Sequence, residues 1–206
     1  MLKQKHDSLC AEKLISEFEK RNMEAYYFAS REEALKKLME ILPPNAVTSC
    51  GGSETLHEIG LIEQLRKGPY SFLDPLMAQD AAEREQIAHQ ALACDYYFMG
   101  CNAIAETGEL VNIDGIGNRV ASLAFGPKNV IVVAGMNKVT PDLQSAIHRA
   151  ETQASQMIVL KFNKDIESYD ALSVAAKEAK GQMMITSKSI YKGRIKIVLI
   201  GETLGY

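Results

Sequence analysis

The chain has 206 residues, of which 47% are hydrophobic and 24% charged, a composition typical of a soluble globular protein with a sizeable core. Its 23 Lys and Arg residues against 26 Asp and Glu residues give a formal net charge of −3, which disfavours a nucleic-acid-binding role. The longest apolar run, Val130 to Met136, is too short to span a bilayer, and charged residues interrupt the N-terminus where a signal peptide would lie. We therefore expect a cytoplasmic protein that contacts neither nucleic acid nor membrane.

Hydrophobic periodicity and turn residues predict helices and strands in alternation. Four helices are predicted in the first half. The first runs from the N-terminus to Asn22, and the second begins after the capping residue Ser30. The third runs from the glycine turn at 51–53 through Leu65, and the fourth covers 80–93. Strands are predicted between them at 23–28, 46–50, 70–73 and 95–100. In the second half we predict strands at 109–113, 129–134, 157–161 and 194–200, and helices at 118–125, 141–154 and 165–180.

The predicted strands are continuous apolar runs and do not alternate between polar and apolar residues. Such runs are typical of strands that are buried on both faces. The sequence therefore predicts an α/β fold, with a doubly wound, mostly parallel sheet and helices on both faces. No linker divides the chain, so we expect one domain over residues 1–206, with an irregular segment at 103–114 that could form a hairpin or a small inserted lobe.

Cysteine and histidine residues are scattered and show no spacing typical of metal ligands. The four cysteines, Cys10, Cys50, Cys94 and Cys101, form no CxxC pair, and the four histidines do not cluster. We expect neither a metal site nor a bound cofactor.

The first candidate ligand-binding loop is a strand, a glycine turn and a helix start. Glycines let the backbone approach a ligand, and free N–H groups at a helix start favour an anion. The charge of the glutamate in the first turn would oppose a phosphate, and a capped helix after a tight turn is an equally good interpretation. The candidate ligand-binding residues here are Ser49, Gly51, Gly52, Ser53, Glu54 and Thr55.

The second candidate loop carries several polar groups among small residues. Its glycines superficially resemble a dinucleotide fingerprint, but the next strand ends in Ala134-Gly135 and lacks the acidic residue that would hold a ribose. A plain turn, in which Asp114 accepts backbone hydrogen bonds, is the alternative. The candidates are Glu106 and Asp114 as catalytic groups, and Gly115, Gly117, Asn118 and Arg119, with Lys138 after the next strand, as ligand-binding groups.

Ligands of open α/β sheets bind beyond the carboxyl ends of the strands. We therefore expect both loops to share one crevice for a small anionic metabolite. Backbone N–H groups at 51–53, with Arg119 or Lys138, would hold the anion, and Glu106 or Asp114 would serve as general base.

The runs Ser49 to Leu56, Asn102 to Ala121 and Phe125 to Lys138 resemble the LUD domain of lactate-utilisation proteins of the LutC type, and the ending Gly193 to Gly205 is similar to that of short stand-alone members. The resemblance implies a fold like that of the glucosamine-phosphate deaminase (NagB), ribose-phosphate isomerase (RpiA) and CoA-transferase group. It also implies a role near the oxidation of L-lactate to pyruvate, beside iron–sulfur partner subunits. In relatives of that fold, a glycine loop like Gly51-Gly52-Ser53 holds phosphate or CoA, and acidic residues perform proton or acyl chemistry.

The sequence departs from many stand-alone members in one region. Residues 161–192 contain no cysteine, whereas those members carry a cysteine-rich stretch between the last two strands. Three functions remain open: an enzyme acting on a phosphosugar, a CoA ester or a hydroxy acid; an accessory subunit of a lactate-oxidising complex; and a metabolite sensor without turnover. A homo-oligomer is compatible with each of them.

Overall fold

In the computed structural model, which describes residues 2–179 and 181–206, a six-stranded sheet forms the centre of the molecule. Its strand order is β1-β10-β7-β4-β2-β3, and every neighbouring pair is parallel. The strands are β1 (Glu24–Phe28), β2 (Val47–Cys50), β3 (Ser71–Leu73), β4 (Tyr96–Gly100), β5 (Ala103–Ala105), β6 (Leu110–Asp114), β7 (Asn129–Gly135), β8 (Val139–Thr140), β9 (Gln182–Thr186) and β10 (Ile195–Ile200).

Helices cover both faces of this sheet. One core lies between the sheet and α1, α5 and α6, and the other lies between the sheet and α2, α3 and α4. The doubly wound α/β fold with a mostly parallel sheet is thereby confirmed. The helices are α1 (Leu2–Lys20), α2 (Arg31–Glu40), α3 (Glu54–Glu58), α4 (Leu61–Lys67), α5 (Ala81–Ala91), α6 (Asn118–Phe125), α7 (Leu143–Arg149), α8 (Ser155–Phe162) and α9 (Tyr169–Glu178).

A second, smaller sheet has the order β8-β5-β6-β9. Strands β5 and β6 form an antiparallel hairpin, which occupies the segment 103–114. Alanines on β5 pack against α7 and the π-helical turn Ala150–Ala154, which joins α7 to α8. Strand β9 completes the sheet by pairing antiparallel with β6.

Two predicted elements differ from the structure. The strand predicted at 157–161 is wrong, because the chain continues from α7 through the π-helical turn into α8 without a Gly or Pro to end the helix. The helix predicted from the glycine turn through Leu65 is broken at Gly60, whose φ of 77° separates α3 from α4. Strand β9 was not predicted. Lys180, the predicted end of the late helix, lies outside the described residues.

The sheet order determines where a ligand site can form. Strands β7, β4 and β2 are parallel neighbours, so their carboxyl ends lie along one edge. Gly51 follows β2, Cys101 follows β4 and Met136 follows β7. The loops that begin at these residues therefore emerge side by side.

Candidate functional site

A cavity of about 430 Å³ lies at this edge of the central sheet. Eight of the side chains or glycines proposed from the sequence line it: Gly52, Ser53, Glu54, Asp114, Gly115, Asn118, Arg119 and Lys138. The structure thus brings both glycine-bearing loops and Lys138 to one cavity.

The first loop is held beside β4 by backbone contacts. The Gly51 amide donates to the carbonyl oxygen of Phe98 at 2.9 Å. Ser53 caps α3, its Oγ accepting from the Leu56 amide at 3.4 Å. At Gly100 a Cβ would lie 2.6 Å from Ser53 Oγ, so a glycine at this strand end lets the two loops approach each other. Helix α3 has only five residues, and its dipole is correspondingly small.

Arg119 carries a buried positive charge that neutral groups surround. Its side chain follows the start of α6 and is 8% exposed. Within the described residues its guanidinium donates to backbone and amide oxygens and to no carboxylate. The acceptors are the carbonyl oxygens of Gly100 and Ile113, at 3.3 and 2.7 Å, and the side-chain oxygens of Asn112 and Asn102, at 3.1 and 3.0 Å.

Gly51 contributes to the position of Arg119, although it does not line the cavity. A Cβ at Gly51 would lie 2.9 Å from Arg119 Cδ and 3.0 Å from the Tyr97 hydroxyl. The arginine stem therefore occupies the space that any larger residue would need.

Asn102 links this arginine to a second buried one. Its side-chain oxygen accepts from the Arg119 guanidinium and from the Ile113 amide, and its carbonyl oxygen accepts from Arg149 Nη1. Arg149 is 7% exposed, and its Nη2 has no hydrogen-bond partner within the described residues. Burial lowers the pKa of Arg149 from its ordinary value.

Lys138 is the third buried cation and lines the cavity. It ends a short 3-10 turn after β7, and its Nζ donates to Thr55 Oγ1 at 3.0 Å. Burial, together with the charges of Arg149 and Arg119, lowers the pKa of Lys138 to about 8, against an opposing influence of Cys101. No ion pair joins Lys138 to a carboxylate within the described residues.

The carboxylates at the cavity have identifiable partners. Asp114 Oδ2 accepts from the amides of Arg119 at 2.8 Å and Val120 at 3.2 Å, so it satisfies the first turn of α6. Glu54 forms an ion pair with Lys161, which connects α3 to α8 at the cavity. Asp114 therefore accepts backbone hydrogen bonds through Oδ2, as the turn alternative predicts, and it also lines the cavity.

The other candidates lie outside the cavity lining. Glu106, on the turn of the β5–β6 hairpin, pairs with Lys13 of α1 at 2.8 Å. Ser49 donates to the Leu73 carbonyl oxygen at 2.8 Å, and Thr55 is the buried partner of Lys138. Gly117 has a φ of 88° and begins α6.

Asn102 and Arg149 are not among the site residues that the sequence predicts. Asn102 carried a signal, because it follows the β4 strand end, where ligand-contacting residues collect. Arg149 lies within α7 and carried none. Further lining residues not proposed from the sequence are Arg84, Gly100, Cys101, Ile113, Ile116, Ile158, Lys161, Phe162 and Tyr206.

No group of three or more His, Cys, Asp or Glu side chains in residues 2–179 and 181–206 is arranged to hold a metal ion. In the same part of the chain, no helix combines the length and apolar character needed to cross a bilayer.

Fold and cavity together define an α/β protein whose cavity, lined in part by buried cations, lies at the carboxyl edge of a parallel sheet. Residues 11–200 match the LUD domain. The chain belongs to the LUD domain family.

Two solved structures are similar to this chain, and the first shares its fold. A DUF162 family protein from Deinococcus radiodurans is 12% identical, with a TM-score of 0.54 over 94% of this chain and 97% of that one. A D-ribose-5-phosphate isomerase in complex with phospho-erythronic acid is 14% identical, with a TM-score of 0.46 over 84% of this chain and 95% of that one. No match was found among curated proteins.

Proposed function

We propose that the cavity binds a small anionic metabolite through a carboxylate or phosphate group. The observation that carries this proposal is the pair of buried cations that line the cavity, Arg119 and Lys138, which have no carboxylate partner within the described residues. A third buried cation, Arg149, contacts the Asn102 carbonyl oxygen but lies outside the lining. A buried charge without a counter-ion is costly in free energy, and an anion in the cavity would recover part of that cost.

The two lining cations have different parts in this proposal. Both terminal nitrogens of Arg119 are engaged by neutral oxygens, so this residue contributes a fixed positive field. Lys138 uses one of its three Nζ donors on Thr55 and lines the cavity, so it is the group that would contact the anion directly. The N–H groups at 52–54 would add weaker contacts.

Thermal unfolding with a panel of anions tests the binding proposal. Phosphosugars, CoA esters, 2-hydroxy acids and 2-oxo acids would be compared at equal ionic strength. A ligand present at 100 times its Kd stabilises the folded state by about 2.7 kcal/mol, which is readily measured as a rise in Tm. Absence of stabilisation by every member of the panel would contradict the proposal.

We further propose that the protein serves L-lactate to pyruvate metabolism, as a catalytic or accessory component beside an iron–sulfur partner subunit. Membership of the LUD domain family supports this assignment. Co-purification of the chain from its native source tests the partner. Recovery of an iron–sulfur protein in stoichiometric amount is expected, and recovery of the chain alone would count against an accessory role.

For a catalytic version of this function we propose Asp114 as the base. It lines the cavity, whereas Glu106 pairs with Lys13 outside the lining. Turnover is therefore expected to fall in Asp114→Asn while ligand binding is retained, and Glu106→Gln is expected to change neither. If the unaltered protein binds the ligand but shows no turnover, the result would instead favour a metabolite sensor.

A further inference from the structure

Lys138 has surroundings that set it apart from a surface lysine. Its side chain is 3% exposed, yet it lines the cavity together with Gly100, Asn102 and Arg119. Its Nζ donates to the Thr55 hydroxyl at 3.0 Å. Burial has the largest influence on its pKa, Cys101 opposes that influence, and two arginines, Arg149 and Arg119, add to it.

These surroundings enlarge the minor fraction of Lys138 that is neutral, although most of it is still protonated at pH 7. Burial and the two arginine charges lower the pKa of Lys138 to about 8, and the opposing influences of Cys101 and Glu58 do not restore it to 10.5. Removal from water and proximity to a second cation are the two ways in which proteins convert lysine into a nucleophile. At neutral pH the fraction of unprotonated amine at Lys138 is about 300-fold larger than at an ordinary lysine.

A nucleophilic amine beside fixed positive charges suits a ligand that carries both a carbonyl group and an anionic group. We propose that Lys138 forms an imine with a carbonyl-bearing anion, of which a 2-oxo acid is the simplest example. The inference rests on the proposed anion-binding function and adds the substrate class and a covalent role for Lys138.

The step requires no oxidant or reductant. The Nζ lone pair attacks the carbonyl carbon, and a C–N bond forms as the carbonyl π electrons move to oxygen. A proton passes from the nitrogen to that oxygen to give a neutral carbinolamine. A second proton, from solvent, lets the hydroxyl leave as water, which gives the protonated imine. A 2-hydroxy acid has the same carboxylate but a hydroxyl in place of the ketone, so it is expected to bind without forming an imine.

Reductive trapping tests the inference. The protein is incubated at pH 8 with pyruvate and sodium borohydride, and the product is analysed by intact mass and peptide mapping. One adduct per chain, located at Lys138, is expected, and L-lactate is expected to give none. Lys138→Arg keeps a positive charge and is expected to lose the adduct, whereas Lys128→Arg, at an exposed lysine, is expected to retain it.

The pH dependence of trapping in the unaltered protein gives a second readout that needs no variant to fold. Labelling of Lys138 is expected to rise with a midpoint near pH 8, whereas exposed lysines react significantly only near their ordinary pKa of 10.5. Equal labelling of Lys128 and Lys138 would overturn the inference. Thermal stabilisation by pyruvate without an adduct would also overturn it, while leaving the anion-binding proposal intact. If no anion, pyruvate included, stabilises the protein or forms an adduct, both the imine inference and the anion-binding proposal are overturned.

Discussion

At the scale of single residues, the proposed anion site consists of buried positive charges whose hydrogen-bond partners are neutral oxygens. Arg119 and Lys138 could be selected from the sequence because each follows a glycine turn or a strand end. Arg149 could not, because its link to the site, through the Asn102 carbonyl oxygen, exists only in space. Glu106 is the opposite case: the sequence proposes it because it is close to the second loop, but in the structure it pairs with Lys13 outside the cavity lining.

Arg119→Met is expected to destabilise the protein by roughly 2–4 kcal/mol. The substitution removes the donor for Asn112 Oδ1 and for two carbonyl oxygens, and each unsatisfied buried acceptor costs about 1–3 kcal/mol, although loss of the buried charge offsets part of this. Chemical denaturation measures the free energy of unfolding. Arg84→Met, at an exposed arginine, is the matched control and should change it by about 0.5 kcal/mol or less. An unchanged or increased stability of Arg119→Met would refute this assignment.

Gly51→Ala is expected to cost about 1–3 kcal/mol, and Gly52→Ala close to nothing. The methyl group at Gly51 would meet the buried Arg119 stem at 2.9 Å, whereas no atom lies within 4 Å of a Cβ at Gly52. The two variants are compared in the same denaturation experiment. Equal effects would show that the close contact at Gly51 does not matter.

At the scale of elements, most of the central sheet could be predicted because its strands are apolar runs bounded by turn residues. The run at 157–161 has the same appearance but forms α8, which packs on α9 through Val159 and exposes Met157 on its other side. A run of four apolar residues, here Met157 to Leu160, does not distinguish a strand from a helix. Strand β9 escaped prediction because it pairs at the edge of the small sheet, where two of its apolar residues, Met183 and Ile185, remain about 40% exposed.

Helix α6 provides a prediction at this scale. Asp114 Oδ2 accepts from two first-turn amides, so Asp114→Ala is expected to destabilise the protein by about 1–2 kcal/mol. Asp114→Asn retains an oxygen acceptor and is expected to cost less than half as much. Hydrogen exchange of the Arg119 and Val120 amides reports the change locally. Unchanged protection of both amides in the alanine variant would rule out the capping role.

At the scale of the whole molecule, Lys138 makes stability depend on pH. Its folded pKa of about 8 lies below its ordinary value of 10.5, so between these values the unfolded chain binds more protons. Stability therefore rises with pH through this window, by at most about 3 kcal/mol. Burial raises the pKa values of Cys50 and Cys94 to about 12, which acts in the opposite direction above about pH 9.

The comparison with Lys138→Met separates these effects, because the thiols are common to both proteins. The difference in the free energy of unfolding, wild type minus variant, is expected to grow between pH 7 and pH 10.5. Urea denaturation at half-unit pH intervals gives this difference. A constant difference would mean that Lys138 has the same pKa in the folded and unfolded chains.

The arrangement of the sheet brings three strand ends to one edge, and we propose that the cavity formed there holds an anion by its buried cations. The most direct test is calorimetric titration at pH 7 of wild type, Lys138→Met and Lys128→Met with the anion that most raises Tm. Loss of a charge-assisted hydrogen bond is expected to weaken binding to Lys138→Met by at least about tenfold and to leave Lys128→Met unchanged. Equal affinity of all three proteins would contradict the account.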